Sequence, residues 1–416
     1  MHRRDFLKAG AGVAGVAAFG GAAAACAPAP GDLIIRGPGM DAGIKHIVVV
    51  MMENRSFDHF LGWLPGANTF DRNKEYLDSS GVGHTPWRFD EWTSCHYEDP
   101  DHSREGGFAQ LNGGACDGFL QGYPDIYPVS YHTADQLAFW GPAAPAWTVC
   151  DNYFTGLMAP TWPNRFFQHC GQTDRLDNKL RISSMTTIWD KLRAYGLEGR
   201  YYFSDAPFAA LLGLRHLEVS RTLDQFHQDA AAGRLPHLSF IDPGFILEAI
   251  GGSSDYHPQT DIRLGDQFLH GIYEAVTTSP AWENTVLVVN FDEWGGFFDH
   301  VAPTEGQHPD PGNRQRGFRT PCLVASPFAR RGHIAHDLYD HASVLRMVEW
   351  AFDLDPLTKR TETANNLADV LDLGSKDLAA PHWQLPAFTA QNCLTVRLDD
   401  IWKQLLGQAR KQGWPV

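Results

Sequence analysis

The run IKHIVVV at residues 44–50 constrains this chain more than any other stretch. It is short, β-branched and apolar without alternation, which predicts a strand covered on both faces, and such strands belong to mostly parallel sheets flanked by helices. Residues 238–241, 285–289 (TVLVV) and 322–325 repeat the pattern. Helical spacing appears at Leu264, Phe268, Ile272 and Val276. It returns at Val344, Leu345, Val348, Ala351 and Phe352, with Asp340 placed to cap. Strands alternating with helices predict an α/β fold with a mostly parallel central sheet. Residues 68–131, dense in Gly, Pro, Asp and aromatics, read as a long irregular insertion.

Hydrophobic residues make up 43% of the 416 and charged residues 20%, so the chain is a folded protein rather than a disordered or fibrous one. Its 34 Lys plus Arg against 49 Asp plus Glu leave a net charge of −15. That excludes the basic footprint of a general nucleic-acid binder. An anionic ligand would then need a local device such as a metal or a helix N-terminus.

The opening MHRRDFLKAG, with Arg3 and Arg4 ahead of Phe6, Leu7 and Lys8, leads into an Ala/Gly/Val run too short and weakly apolar to span a bilayer. It reads as a twin-arginine signal, which implies the twin-arginine export machinery as a partner and a secreted, periplasmic or cell-surface product. Cys26, after Ala23, Ala24 and Ala25, resembles a loose lipoprotein box without its usual Leu, so a lipid tether there is the alternative to free release. Three segments are expected: signal and linker over 1–31, a catalytic domain over 40–373, and a C-terminal extension over 374–416. No later segment is long and apolar enough to cross a membrane. Six cysteines beyond Cys26 permit disulfides in an oxidising compartment.

In open parallel sheets, ligands bind beyond the carboxyl ends of the strands. Glu53 and Asn54 follow the first strand, and Asp292 and Glu293 follow the 285–289 strand. Either pair alone suits a helix cap or a turn. Together they form a hard oxygen set for one divalent cation: magnesium, manganese, calcium, zinc or iron. Without a compensating cation such a buried cluster would repel itself. In APTWPNRFF, Thr161 stands where an N-cap belongs and Pro163 falls in the first turn, so Thr161 serves either as a cap or as a hydroxyl aimed at a phosphate. A metal would lower its pKa and make it a nucleophile. Asn164, one turn on, is placed to donate to a phosphoryl oxygen. Among 19 histidines, His102, His257, His300 and His341 have suggestive settings.

IKHIVVVMMENRSFDHFLG, APTWPNRFF, SSDYHPQTDIRLGDQF, VLVVNFDEWGGFFDHVAP and RTPCLVASPFARRGHI follow one another in this order. They resemble the successive motifs of the bacterial phosphoesterase family that contains phosphatidylcholine-preferring phospholipases C and a group of acid phosphatases. The resemblance implies an alkaline-phosphatase-like α/β fold and a metal held by Glu53, Asn54, Asp292 and Glu293. It also implies that Thr161 is the nucleophile, that Asn164 contacts phosphate, and that His102 and His257 border the phosphate and leaving group. The implied reaction is a two-step displacement through phosphothreonine on a phospholipid or a small phosphate ester, with membrane-surface contact for the former. A nonspecific phosphatase acting on monoesters is the nearest alternative. A noncatalytic extracellular metal- or phosphate-binding protein is an alternative of another class. A sulfatase is excluded because threonine cannot become formylglycine.

Overall fold

The computed structural model describes residues 37–247, 252–308 and 310–394, so the export signal, Cys26 and residues 395–416 lie outside the described residues. Its frame is an eight-stranded sheet. In chain order the strands are β1 His46–Met52, β2 Thr148–Cys150, β3 Gly199–Phe203, β4 Ser220–Thr222, β5 Leu238–Asp242, β6 Thr285–Phe291, β7 Leu323–Ala325 and β8 His333–Ala335. Across the sheet they lie β8-β2-β7-β6-β1-β5-β3-β4. Within this sheet β7 alone runs against its neighbours.

The three central strands carry the apolar runs. All seven residues of β6, all five of β5 and all but His46 of β1 are buried. Each fully buried Val, Ile or Leu there contributes about 1.5–3 kcal/mol of transfer free energy. β1 starts two residues later than its apolar run and continues through Met51 and Met52. Ile44 and Lys45 are turned aside, their amides donating to Gly39 and Asn284 carbonyls. Of the flanking strands, β7 falls where residues 322–325 were expected to form one, while others escaped the sequence reading because they are short, or polar and aromatic: SRT in β4, HIA in β8 and GRYYF in β3.

Helices pack on the sheet and at its carboxyl edge: α1 Phe57–Leu61, α2 Arg104–Leu111, α3 Thr161–Cys170, α4 Ile262–Thr277 and α5 His341–Ala351. Asp340 caps α5 as expected, its side chain accepting from the Ala342 amide. The insertion is more ordered than its composition suggests. Ser103 caps α2, whose two glycines hide it from a propensity reading. A Cβ at Gly107 would come within 2.5 Å of the Met158 sulfur and 2.8 Å of Trp294. Glycine is therefore what lets α2 lie against the strand-end loop that carries Glu293.

Register decides where the chemistry collects. Met52 pairs with Phe291 and Val50 with Ile241. Glu53, Asp292 and Asp242 therefore leave three adjacent parallel strands at nearly the same level, as the pairing of a parallel ladder requires.

Residues 374–394 run along this body. Trp282 Nε1 donates to the Leu378 carbonyl, Tyr273 Oη to Pro381 and Trp383 Nε1 to Ala138. Cys393 is disulfide-bonded to Cys95 of the insertion across a sequence separation of 298 residues. Cys116, Cys150, Cys170 and Cys322 are buried free thiols. Cys393→Ser is expected to lower unfolding stability by about 2–4 kcal/mol. Denaturant midpoints under oxidising conditions check this; identical midpoints for variant and parent would remove the bond's contribution.

Candidate active site

At the carboxyl edge of β1, β5 and β6 the central side chain is Arg165, only 1% exposed. Its Nη1 meets Asp242 Oδ1 at 2.8 Å, its Nε meets Asp292 Oδ2 at 3.2 Å, and its Nη2 meets Glu53 Oε1 at 3.3 Å. Nη2 also donates to the carbonyls of Met51 and Met52. The sequence reading left this cluster with no protein cation. The structure corrects that: one guanidinium already sits among three carboxylates and ties α3 to three strand ends. Asp242 was within reach of the strand-end rule, whereas Arg165, on a helix, was not. Asp242 ends a predicted strand as Glu53 and Asp292 do, and Arg165 follows Thr161 by one helical turn.

Asn54 stands in the left-handed region at φ 57°, and its amide donates to Asp292 Oδ1 at 3.2 Å. Asp292 Oδ1 also accepts from the Glu293 amide at 2.7 Å, and Glu293 Oε2 accepts from Gly295 at 2.6 Å. Gly295 is required here, because a Cβ would lie 2.1 Å from the Asn54 carbonyl oxygen. Both side-chain atoms of Asn54 and Oε1 of Glu293 are buried without a hydrogen-bond partner among the described residues. Burial raises Asp292 and Glu293 above the usual carboxylate range, and raises Asp242 to about 6 against the pull of Arg165. Carboxylates outnumber cations, and oxygen atoms are left unsatisfied. The donor set therefore fits a divalent cation.

Thr161 opens α3, but it is not the cap. Pro160 holds that position, with no side-chain hydrogen bond. The capping role expected for Thr161 is thus absent, and its side chain, 8% exposed, shares the helical face of Arg165 four residues on. The backbone donors expected at this helix end are fewer than foreseen: Pro163 has no N–H, and the Trp162 amide donates to Asn178 Oδ1 at 2.8 Å. Asn164 is also committed elsewhere. Its Oδ1 accepts from the Leu157 amide at 3.0 Å, and its Nδ2 donates to Ala159 at 2.7 Å and Leu157 at 3.1 Å. It braces the loop that delivers Thr161. Asn164→Ala is therefore expected to lower kcat about tenfold or more with KM little changed. Steady-state kinetics check this; a rise in KM alone would indicate direct substrate contact.

The insertion brings His102 to the same edge. Its Nδ1 lies 2.9 Å from the Pro100 carbonyl, leaving Nε2 turned to Glu293 Oε1 at 3.9 Å. Burial works against its charge, but Glu293 and Asp99 outweigh that and hold its pKa up at about 9. His257 Nε2 lies 3.5 Å from Asp99 Oδ2. Asp99, His102 and His257 offer ligand atoms all within 4.8 Å of one another, a second grouping able to hold a cation. Asp99 had no distinguishing signal in the sequence. His300 and His341 have structural duties. His300 Nδ1 pairs with Asp58 at 2.6 Å, within a network where Arg319 joins Asp58 and Asp299. Burial lowers His341 to about 4, and the neutral ring links the Gly156 amide to the Phe291 carbonyl.

The family model described as "Phosphoesterase family" matches residues 44–355, which include every site residue named above, and a twin-arginine signal model matches residues 1–20. The chain is 29% identical over 385 residues to non-specific phospholipase C1 of Arabidopsis thaliana, covering 78% of this chain and 69% of that protein. It is 30% identical over 396 residues to phospholipase C B of Mycobacterium tuberculosis, covering 76% and 74%. Among solved structures it is similar to murine ectonucleotide pyrophosphatase/phosphodiesterase 5 (TM-score 0.43, 10% identity, 78% and 100% covered). It is also similar to a protein in the alkaline phosphatase superfamily from Vibrio parahaemolyticus (TM-score 0.39, 10% identity, 79% and 72% covered). The motifs, their order and the length of the family match agree: this chain, which carries a twin-arginine export signal, belongs to the Phosphoesterase family and is a phosphoric ester hydrolase.

Proposed function

We propose that the chain is a phospholipase C that cleaves phosphatidylcholine-like phosphodiesters with Thr161 as nucleophile. The observation that carries this reading is Arg165, bonded to Glu53, Asp242 and Asp292 one turn from Thr161 on α3. The phospholipases C among its relatives supply the substrate class. Glu53, Asn54, Asp292 and Glu293 would hold one divalent cation, which when bound supplies positive charge against the non-bridging phosphoryl oxygens.

Thr161 Oγ1 attacks phosphorus and the bond from phosphorus to the glycerol oxygen breaks, while the hydroxyl proton passes to the carboxylate cluster. His102 gives its Nε2 proton to the departing diacylglycerol oxygen, with the Asp99 carboxylate 3.9 Å from its Nδ1 favouring the protonated ring. Water then attacks the phosphothreonine phosphorus and gives a proton to His102; the bond from phosphorus to Thr161 Oγ1 breaks, the carboxylate cluster returns its proton to Oγ1, and the phosphorylated headgroup leaves. Asn164 and the carbonyls it holds keep Thr161 in line.

The test compares turnover of dispersed phosphatidylcholine with that of a soluble aryl phosphate monoester, before and after chelation and metal return. Phosphodiester preference and loss of turnover on chelation are expected. A monoester preference would make the enzyme an acid phosphatase, and full turnover in metal-free protein would remove the cation.

A further inference from the structure

Beside the site, the loop that leaves β5 turns apolar side chains to solvent. Phe245 lies with its ring centroid 4.5 Å from the Arg165 guanidinium carbon, so this loop borders the carboxylate cluster directly. The next two residues, Ile246 and Leu247, are 42% and 52% exposed. Their placement is enforced: Asp205 Oδ2 accepts from the amides of both Phe245, at 2.6 Å, and Ile246, at 2.7 Å. The segment that supplies Asp205 continues into Phe208, whose ring packs 6.2 Å from that of Trp162, the neighbour of Thr161. Beyond Phe208, Leu214 is 53% exposed, and across the Ser183–Leu211 backbone bond Ile182 is 54% exposed. Large apolar side chains thus reach solvent from three segments: two touch the surroundings of Thr161 and Arg165, and the third, at Ile182, is joined to one of them. Apolar side chains exposed together beside a site mark an interaction surface.

Building on the phospholipase reading, we propose that Ile246 and Leu247, with Leu214 and Ile182, form an interfacial rim that enters the headgroup region of a zwitterionic bilayer. Partial immersion of apolar side chains beside the catalytic cluster would bring a choline phospholipid to Thr161 without its full extraction into water. Charge selects the bilayer. Arg181 and Arg215, next to Ile182 and Leu214, are paired with Asp174 and Asp190, and the whole chain carries −15, so attraction to anionic lipid is weak and apolar contact with a neutral surface carries the binding.

The experiment uses the full chain and its Ile246→Ser/Leu247→Ser double variant, with Leu214→Ser as a second variant on the other segment and Val82→Ser, an exposed residue of the insertion, as control. Sedimentation with phosphatidylcholine vesicles measures binding without requiring turnover. Hydrolysis of the same vesicles and of a monomeric short-chain phosphocholine ester measures activity. The double variant is expected to lose vesicle binding and vesicle turnover by about tenfold or more, Leu214→Ser to lose less, and all variants to keep turnover of the monomeric ester. Unchanged vesicle binding in both rim variants would overturn the rim. So would a rim that proves to be a contact between two copies, seen as a fall in solution mass with vesicle turnover unaltered. Failure of the parent to hydrolyse either ester while still binding vesicles would sink the phospholipase reading and leave the surface standing.

Discussion

Thr161→Ala is expected to fold like the parent and to lose phosphodiester turnover by roughly 10⁴-fold or more, the scale on which removal of an activated hydroxyl nucleophile is felt. Folding should survive because the substitution removes no hydrogen bond that holds α3. The cap is Pro160, the brace is Asn164, and the helix is pinned by Arg165. Alanine is also the better helix former at this position. Thr161→Ser keeps the hydroxyl and should retain substantial activity. Circular dichroism and thermal unfolding establish the fold, and a rate assay on both variants checks the chemistry. A Thr161→Ala protein with more than a tenth of parental turnover would show that another group attacks phosphorus.

Arg165→Ala should have the larger structural effect. Its removal leaves Asp242, Asp292 and Glu53 facing one another at 0–4% exposure, with the compensating guanidinium gone. Breaking a buried ion pair by deleting one partner costs about 3–5 kcal/mol, because the surviving charge remains buried and unpaired. Here three carboxylates lose the same partner. They would rise toward neutrality, which weakens any cation held at Glu53 and Asp292. Chemical denaturation should show the loss of stability, with Arg165→Lys falling between parent and alanine because a point charge cannot serve three carboxylates from a fixed fork. A variant within 1 kcal/mol of the parent would mean that Arg165 contributes little to joining α3 and the sheet.

The central sheet and both long helices were legible because burial on two faces forces an apolar run. β1, β5 and β6 follow that rule, and α4 and α5 follow the 3.6-residue repeat from Leu264 and Val344. The flanking strands β3 and β4 were not, since partial exposure lets them carry Arg, Tyr and Ser. In the site, strand ends pointed to Glu53 and Asp292. Arg165 stayed hidden because its role arises only when a helix from one part of the chain meets three strand ends from elsewhere. Asn164 illustrates the reverse difficulty: the spacing placed it near Thr161, but only the folded loop reveals that its amide is engaged by Leu157 and Ala159. His300 and His341 sit in suggestive motifs yet serve buried networks, a distinction made by their partners and not by their neighbours in sequence.

The most direct measurement is chemical capture of the reaction in progress. Enzyme mixed with a phosphodiester substrate and quenched in acid within a turnover should yield, on proteolysis and mass spectrometry, a phosphoryl headgroup on the peptide containing Thr161, absent from the Thr161→Ala protein. A modification found instead on a histidine such as His102 or His257, or steady turnover with no covalent species on any residue, would contradict the account.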